Sequence, residues 1–220
     1  MNANTERIFV AGAAGAIEVV LDFPPLAERA PRGLALIAHP HPLYAGTLDN
    51  KVVQTLARAF VALGYLAARP NFRGVGASQG THDEGIGETD DLLAVQAHLI
   101  REYALSEVVL AGFSFGAFVQ TQVAARLTEA GTPAARMVLV ATAVTRWNAL
   151  PVPPDTLLIH GEHDDTVPLA ALFDWARPQE LPVVVIPGAD HFFHRKLTLI
   201  KRLVLSAWNG ERAAAGVSDA

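Results

Sequence analysis

Residues 108–117 read Val-Val-Leu-Ala-Gly-Phe-Ser-Phe-Gly-Ala, a short apolar strand, a glycine-flanked serine and the start of a helix-forming stretch. A serine hydroxyl is a poor nucleophile unless a sharp turn lifts it towards a base and backbone N–H groups can bind the developing oxyanion. Gly112 and Gly116 leave room for such a strand-to-helix turn. The segment therefore predicts that Ser114 is a nucleophile at the carboxyl end of a buried strand. The alternative is a serine that only caps the helix.

The same G-x-S-x-G spacing occurs a second time, at residues 76–80, where Ser78 is the central residue. This copy follows Arg73-Gly-Val and leads into more glycine, threonine and aspartate, so it has loop sequence on both sides. Serine and glycine are ordinary turn residues in such a loop. We therefore expect Ser78 to shape a turn and Ser114 to carry the chemistry.

The composition is that of an ordinary globular protein. With 220 residues and 51% hydrophobic content, the chain can bury a large core, and we expect one domain over residues 1–210 and a flexible tail over residues 211–220. The net charge of −5 argues against nucleic acid as a partner. No apolar stretch reaches the roughly 20 residues that cross a bilayer, and the N-terminal residues do not resemble a signal peptide, so we expect no membrane partner and a cytoplasmic protein. Cysteine is absent, which excludes disulfides and thiol nucleophiles.

Apolar strands and amphipathic helices alternate along the chain. A hairpin is predicted at residues 7–10 and 17–23, and further strands at residues 34–38, 65–69, 108–110, 137–140, 156–159 and 183–186. The intervening helices are expected from a cap at Asp49 or Asn50 to Leu63, from Thr89 or Asp90 to about Tyr103, after Ser114, and at residues 169–175 and 196–208. This alternation predicts an α/β fold with a mostly parallel central sheet and helices on both faces.

A serine nucleophile needs a histidine base, and the base needs an acid that orients it. Downstream of Ser114, one strand leads into a loop with Asp164, and the next strand leads into a loop with His191. The order Ser, Asp, His suits a nucleophile on a strand-to-helix turn. Because all three follow strand ends at one edge of the sheet, we expect them to converge.

Each partner has a neighbour that competes with it. Asp165 could replace Asp164 as the acid, although capping the helix near Pro168 is an ordinary role for it. Asp190 is adjacent to His191 in sequence, which favours a role in turn geometry. His194 could be the base, but three positions later it is expected inside or at the start of the last helix.

An oxyanion hole normally needs two backbone N–H groups. Phe115, directly after the serine, supplies one candidate. The second is expected in the loop after the third strand, whose residues 39–44 read His-Pro-His-Pro-Leu-Tyr. Prolines cannot donate, which leaves His41, Leu43 or Tyr44, and His41 is the first choice by position. The alternative is that the His-Pro repeat only shapes a rigid turn.

The eight histidines also raise the possibility of metal catalysis. Three pairs lie in predicted loops: His39 and His41, His160 and His163, and His191 and His194. Zinc is held by three or four such ligands in many hydrolases. None of these spacings forms a helical H-E-x-x-H motif, and a metal would leave the serine turn unexplained, so we predict no metal and no cofactor.

The chain resembles the α/β-hydrolase superfamily over about residues 7–208. The matching segments are Gly112-Phe-Ser-Phe-Gly116, His160-Gly-Glu-His-Asp-Asp-Thr-Val-Pro168 and Gly188-Ala-Asp-His-Phe192. Residues 39–43 and 71–78 are similar to those of small bacterial serine hydrolases akin to dienelactone hydrolases. The resemblance implies Ser114 as nucleophile, Asp164 as acid and His191 as base, with Phe115 N–H at the oxyanion.

The chain departs from the family pattern at two points. His39-Pro40 stands where many members have His-Gly, which bears on the second oxyanion donor. Dienelactone hydrolases use a cysteine nucleophile, and this chain has none, so their substrate is not transferred to it.

The sequence also limits the kind of substrate. Related enzymes with a lid insert it mainly after the strand that here ends at Val140, and residues 141–155 are too few for a helical cap. We therefore expect an open site walled by Leu43, Tyr44, Phe113, Phe115, Trp147 and Phe192. The prediction is a lidless serine hydrolase, foremost a carboxylesterase that cleaves small short-acyl esters through an acyl-enzyme. A peptidase, thioesterase or acyltransferase could use the same residues, and a non-catalytic binding protein could keep the fold.

Overall fold

The computed structural model describes the backbone of residues 4–25 and 30–215, with side chains up to residue 208. Within these residues, eight strands form one sheet in the order β1-β2-β4-β3-β5-β6-β7-β8. The strands are β1 Thr5–Gly12, β2 Gly15–Asp22, β3 Leu34–Ala38, β4 Leu66–Pro70, β5 Val108–Phe113, β6 Arg136–Val140, β7 Leu157–Gly161 and β8 Val183–Ile186. The first two strands form the predicted antiparallel hairpin, β2 pairs antiparallel with β4, and all remaining pairs are parallel. The predicted α/β fold is confirmed.

Helices cover both faces of the sheet. In the described residues they are α1 Lys51–Ala62, α2 Ile86–Glu102, α3 Phe115–Glu129, α4 Leu169–Ala176 and α5 Leu197–Ala215. One apolar core packs α2, α3 and α4 against one face, and a second packs α1 and α5 against the other. Because helices lie on both sides, the central strands β3 and β5 are buried along their whole length. No helix in the described part of the chain has the length and apolar character of a membrane span.

The register of the central strands positions the site. Ala38 at the end of β3 pairs with Gly112 near the end of β5, and Phe113 pairs with Val140 at the end of β6. The carboxyl ends of three parallel strands therefore meet at one edge, where ligands collect in open α/β sheets. Residues 141–156 between β6 and β7 contain neither helix nor strand, so no cap domain covers this edge.

Two expectations about helix boundaries were wrong. Helix α2 begins at Ile86 rather than at Thr89 or Asp90. Gly85 takes a left-handed backbone with φ of +98°, and the Glu88 carboxylate accepts its N–H at 2.8 Å, which caps the helix earlier. At the other end of the chain, α5 continues to Ala215 instead of ending at Trp208. The rest of the predicted tail, residues 216–220, lies outside the described residues.

Candidate active site

Ser114 lies on a strained turn between β5 and α3. Its backbone has φ of +56° and ψ of −117°, a region that costs a non-glycine residue about 1–3 kcal/mol. The turn is held because Ser114 N–H donates to Val140 O at 2.9 Å and its carbonyl accepts from Phe118 N at 3.1 Å. A side chain at Gly116 would bring a Cβ within 2.4 Å of the Ala38 and His39 carbonyl oxygens, so only glycine allows this crossing.

The three side chains predicted to converge do so. His191 Nε2 lies 3.0 Å from Ser114 Oγ, and His191 Nδ1 lies 2.8 Å from Asp164 Oδ2. All three residues are buried, and a buried hydrogen bond is stronger than the same bond in water, so burial strengthens both bonds of His191. This is the geometry of a nucleophile, a base and an orienting acid.

Asp164 is itself fixed by its own loop. Its other oxygen, Oδ1, accepts the N–H groups of Thr166 at 3.0 Å and Val167 at 2.7 Å, which leaves Oδ2 for His191. Asp165, the competing acid, is exposed, and within the described residues its side chain accepts a hydrogen bond from Thr166 and none from His191. The structure therefore brings Asp164, and not Asp165, to the histidine.

The competing base is also directed away. His194 is exposed and its Nδ1 hydrogen-bonds to Asp190, the residue expected to shape this turn. This bond from His194 holds the pKa of the Asp190 carboxyl below its usual range. The pair of His194 and Asp190 is therefore not part of the hydrogen-bond series that links Ser114 to Asp164.

Sequence reasoning considered His160 only as a possible metal ligand and missed its place beside Asp164. This fully buried side chain donates from Nε2 to Val167 O at 2.8 Å, and the same nitrogen lies 3.5 Å from Asp164 Oδ2. Burial lowers the pKa of His160, so the ring is neutral near pH 7. Its position at the end of β7, four residues before Asp164, was the available signal.

Of the four backbone N–H groups that the sequence offered as oxyanion donors, two have no protein acceptor in the described residues. Among residues 39–44, Leu43 N donates to His41 Nδ1 at 3.1 Å and Tyr44 N donates to the His41 carbonyl at 3.1 Å. Within the described residues, neither His41 N nor Phe115 N has a protein acceptor. Phe115 N is at the first turn of α3, where such groups are free and the helix dipole favours negative charge.

The predicted walls of the site fall into two groups. Leu43, Tyr44 and Phe192 are 69%, 71% and 54% exposed, and Trp147 is half-buried. Phe113 and Phe115 are 0% exposed, so the expectation that they line an open pocket was wrong. Phe113 is the last residue of β5, and its side chain packs in the core behind His191 instead.

Ser78 has a structural role. Its Oγ donates to Asn71 O at 2.8 Å and accepts the N–H of Glu18 at 2.9 Å, so it joins β2 to the loop that follows β4. The side chain is buried, and no histidine hydrogen-bonds to it in the described residues. The second G-x-S-x-G motif therefore has the expected structural role, because its serine holds the loop after β4 against β2.

His39 joins the ends of two strands. Nε2 accepts the Phe72 N–H at 2.9 Å, which places the ring proton on Nδ1, where it donates to Pro40 O at 2.6 Å. Complete burial lowers the pKa of His39 to about 4. Both ring nitrogens are thus occupied by backbone partners, which accounts for the first histidine of the His-Pro repeat.

A mostly parallel sheet that carries a serine on a strand-to-helix turn is the arrangement of an α/β-hydrolase. A family model described as serine aminopeptidase, S33, matches residues 46–158. An uncharacterized protein of Rickettsia prowazekii is 35% identical over 175 residues, which cover 74% of this chain and 73% of that protein. The chain therefore belongs to the family that this model describes, within the α/β-hydrolase superfamily.

Solved structures agree with this assignment. A serine hydrolase without a lid from Xanthomonas campestris is 33% identical, with a TM-score of 0.85 and 94% of each chain covered. A serine hydrolase homologue from Coxiella burnetii is 35% identical, with a TM-score of 0.83, and the match covers 91% of this chain and 96% of that one. The resemblance stated from the sequence is thus confirmed at the level of the superfamily and of its lidless members.

Proposed function

We propose that the protein is a serine carboxylesterase that cleaves small short-acyl esters through an acyl-enzyme. The observation that carries this proposal is the continuous hydrogen-bonded chain from Ser114 Oγ through His191 to Asp164 Oδ2. The strained turn that presents Ser114 supports it, because such strain persists where the surrounding structure fixes it for a purpose.

The proposed reaction has two halves. In the first, His191 Nε2 takes the Ser114 proton as Oγ attacks the ester carbonyl, and the N–H groups of Phe115 and His41 bind the oxyanion. The protonated His191, held by Asp164, then gives its proton to the departing alcohol. In the second half His191 activates water, which releases the acid and restores the serine.

The preference for short acyl groups rests on the openness of the site. Leu43, Tyr44 and Phe192 are mostly exposed, and residues 141–156 form no cap above them. A long acyl chain gains most of its binding energy from apolar area that the protein covers, and these walls offer little cover. A p-nitrophenyl ester series should therefore peak at short chains, and a maximum at long chains would refute this part of the proposal.

The decisive experiment is labelling with a fluorophosphonate, which reacts with activated serines. We expect wild type to be labelled, Ser114→Ala to be unlabelled, and the matched Ser78→Ala variant to be labelled like wild type. Labelling that persists in Ser114→Ala would overturn the serine assignment. Ester hydrolysis that EDTA abolishes in a protein the probe does not label would indicate a metal instead.

Amide hydrolysis is the second candidate, because the matching family model is described by a serine aminopeptidase. The same triad would serve, with His191 protonating an amine rather than an alcohol. Esters, thioesters and amides of one acyl group, compared by kcat/KM, separate the candidates. We expect the ester to be fastest by more than its greater intrinsic reactivity, and an amide preference would replace the esterase proposal.

A further inference from the structure

The loop that carries the proposed acid is closed by a histidine side chain. His160 is the last residue but one of β7, and its fully buried ring donates from Nε2 to Val167 O at 2.8 Å, seven residues further along the chain. Asp164 lies between these two residues, and its Oδ2 is 3.5 Å from the same nitrogen. The imidazole of His160 therefore spans the loop and contacts the carboxylate within it.

The surroundings of His160 determine which ring nitrogen carries the proton. Val167 O and Asp164 Oδ2 are both acceptors, so the proton belongs on Nε2, which faces them. Nδ1 is buried without a hydrogen-bond partner in the described residues, and a proton there would be left unpaired. Burial lowers the pKa of His160, which keeps the ring neutral. His160 is therefore a fixed donor that brings no charge to the acid.

The second half of the loop is a rigid turn. Asp164 Oδ1 accepts the N–H groups of Thr166 and Val167, at 3.0 and 2.7 Å, so the carboxylate and this stretch of backbone move together. The buried side chain of Val167 anchors the turn, but apolar packing has no preferred direction. The hydrogen bond from His160 does have one, because such bonds weaken steeply when they are misaligned. The bond to Val167 O therefore helps to set where Asp164 Oδ2 points.

The first half of the loop is fastened to the loop that follows β8. His163 N donates to Ala189 O at 2.9 Å. The two loops approach closely at Gly161, where a Cβ would lie 2.6 Å from Ala189 O. These contacts anchor the start of the acid loop against the loop that carries the base, and the side chain of His160 anchors its end.

We propose that His160 is a positioning residue that directs Asp164 Oδ2 at His191, a role that rests on the serine hydrolase function proposed above. When His191 takes the proton of Ser114, the carboxylate must face the imidazolium that forms. A tilt of the turn that displaced Oδ2 by about 1 Å would slow the reaction by up to about a hundredfold.

A neutral donor suits this position better than a cation. The negative charge of Asp164 stabilises the positive charge that develops on His191, and a lysine or arginine at position 160 would offset it. Burial, and to a smaller extent the nearby His191, lower the pKa of His160. The proton taken from Ser114 therefore stays on His191 and is not shared with the second imidazole.

The test compares variants by the second-order rate constant of fluorophosphonate labelling at Ser114, which depends on the triad and not on the choice of ester. His160→Leu removes the donor, and we expect labelling to slow by about a hundredfold. His160→Gln keeps a neutral donor that can reach Val167 O, and it should be labelled at close to the wild-type rate. His163→Leu, at an exposed position on the same loop, is the matched control and should be labelled like wild type. His160→Met is a second variant without a donor, for use if His160→Leu does not fold.

Two further measurements separate positioning from a general loss of stability. In the Asp164→Asn background, His160→Leu should not slow labelling further, because both changes act through one carboxylate. In proton NMR spectra, the proton between His191 Nδ1 and Asp164 Oδ2 should give a far-downfield signal that Asp164→Asn removes. His160→Leu should lose or broaden this signal, and His160→Gln should keep it.

The possible failures are distinct. Equal labelling rates in wild type and His160→Leu, or a downfield signal unchanged in that variant, would overturn the positioning role. A folded His160→Gln variant as slow as His160→Leu would do the same, as would losses from His160→Leu and Asp164→Asn that multiply in the double variant. Failure of the proposed function would appear in wild type itself, as no labelling of Ser114 or as labelling without hydrolysis of any ester.

Discussion

The ring of Phe113 packs against the imidazole of His191, with centroids 5.1 Å apart and planes inclined at 35°. Phe113 is fully buried and is supported from behind by Phe193, 6.4 Å away. Phe113, which directly precedes the proposed nucleophile Ser114, therefore forms the surface on which the His191 ring rests. Asp164 sets the tautomer of His191, and Phe113 restricts the tilt of its ring.

Replacing Phe113 with leucine should loosen His191 without changing the substrate walls. We expect kcat to fall about tenfold with little change in KM, and the unfolding free energy to fall by about 1–2 kcal/mol. Steady-state kinetics and urea unfolding measure the two effects. Phe9→Leu, at an exposed position on β1, is the control and should change neither. A raised KM at constant kcat would mean that Phe113 contacts substrate after all.

Asp164→Asn should leave the geometry of the site intact but favour the wrong tautomer of His191. By analogy with other serine triads, we expect kcat to fall by about 10⁴. Asp165→Asn is the matched control, since that side chain is exposed one residue away, and its kcat should equal that of wild type. Equal losses in the two variants would remove Asp164 from its proposed role.

The second oxyanion donor can be tested by removing one backbone N–H. His41 has φ of −54°, close to the angle that proline imposes, so His41→Pro fits the chain but deletes the donor. We expect kcat of His41→Pro to be about 10²–10³ below that of His41→Asn, which keeps the N–H. Similar kcat values in the two variants would mean that the His41 N–H is not the second oxyanion donor.

The two G-x-S-x-G serines should respond to mutation in opposite ways. Ser78→Ala should keep activity and lose about 1–3 kcal/mol of unfolding free energy, because Asn71 O and Glu18 N lose a buried partner. Ser114→Gly should lose activity and gain about 1 kcal/mol or more, because glycine relieves the positive φ. Chemical denaturation measures the unfolding free energy, and ester hydrolysis measures the activity. A Ser78→Ala variant as stable as wild type would contradict the structural role of Ser78.

Acid should destabilise the fold partly through His39. Burial lowers its pKa from 6.5 to about 4, so between these pH values the unfolded chain binds a proton that the folded chain does not. Stability contributed by His39 is complete above pH 6.5 and falls by up to about 1.4 kcal/mol per pH unit as the pH drops towards 4. Urea unfolding of His39→Gln should give a shallower pH dependence than wild type or His98→Gln. If the unfolding free energy depended on pH with the same slope in all three proteins, His39 would not be a source of the acid destabilisation.

The sequence predicted the convergence of Ser114, Asp164 and His191 because each follows a parallel strand, and strand ends share one edge of the sheet. It could not predict which face Phe113 would present, since a strand buried on both sides shows no alternation. The supporting contacts of His160 and the tilted contact between the rings of His41 and His82 also escaped prediction. They depend on loops that meet only in the folded chain.

The early start of α2 has a similar cause. The hydrogen bonds that the N–H groups of Gly85 and Asp83 donate to the Glu88 carboxylate set that boundary, whereas Thr89 and Asp90 suggested a later one. Capping by a side chain inside the first turn is a local signal, and Glu88 three residues after Gly85 carried it in the sequence.

The short connection between β6 and β7 bears on the speed of turnover. In enzymes with large lids, opening of the lid often limits the rate at which product leaves. Residues 141–156 contain no helix that must swing away, and contacts such as that between Trp147 and Glu84 hold the segment in place. The free acid can thus diffuse out as soon as it forms. The bond-making steps at Ser114, and not a conformational cycle, would then set kcat, which would be nearly independent of solvent viscosity.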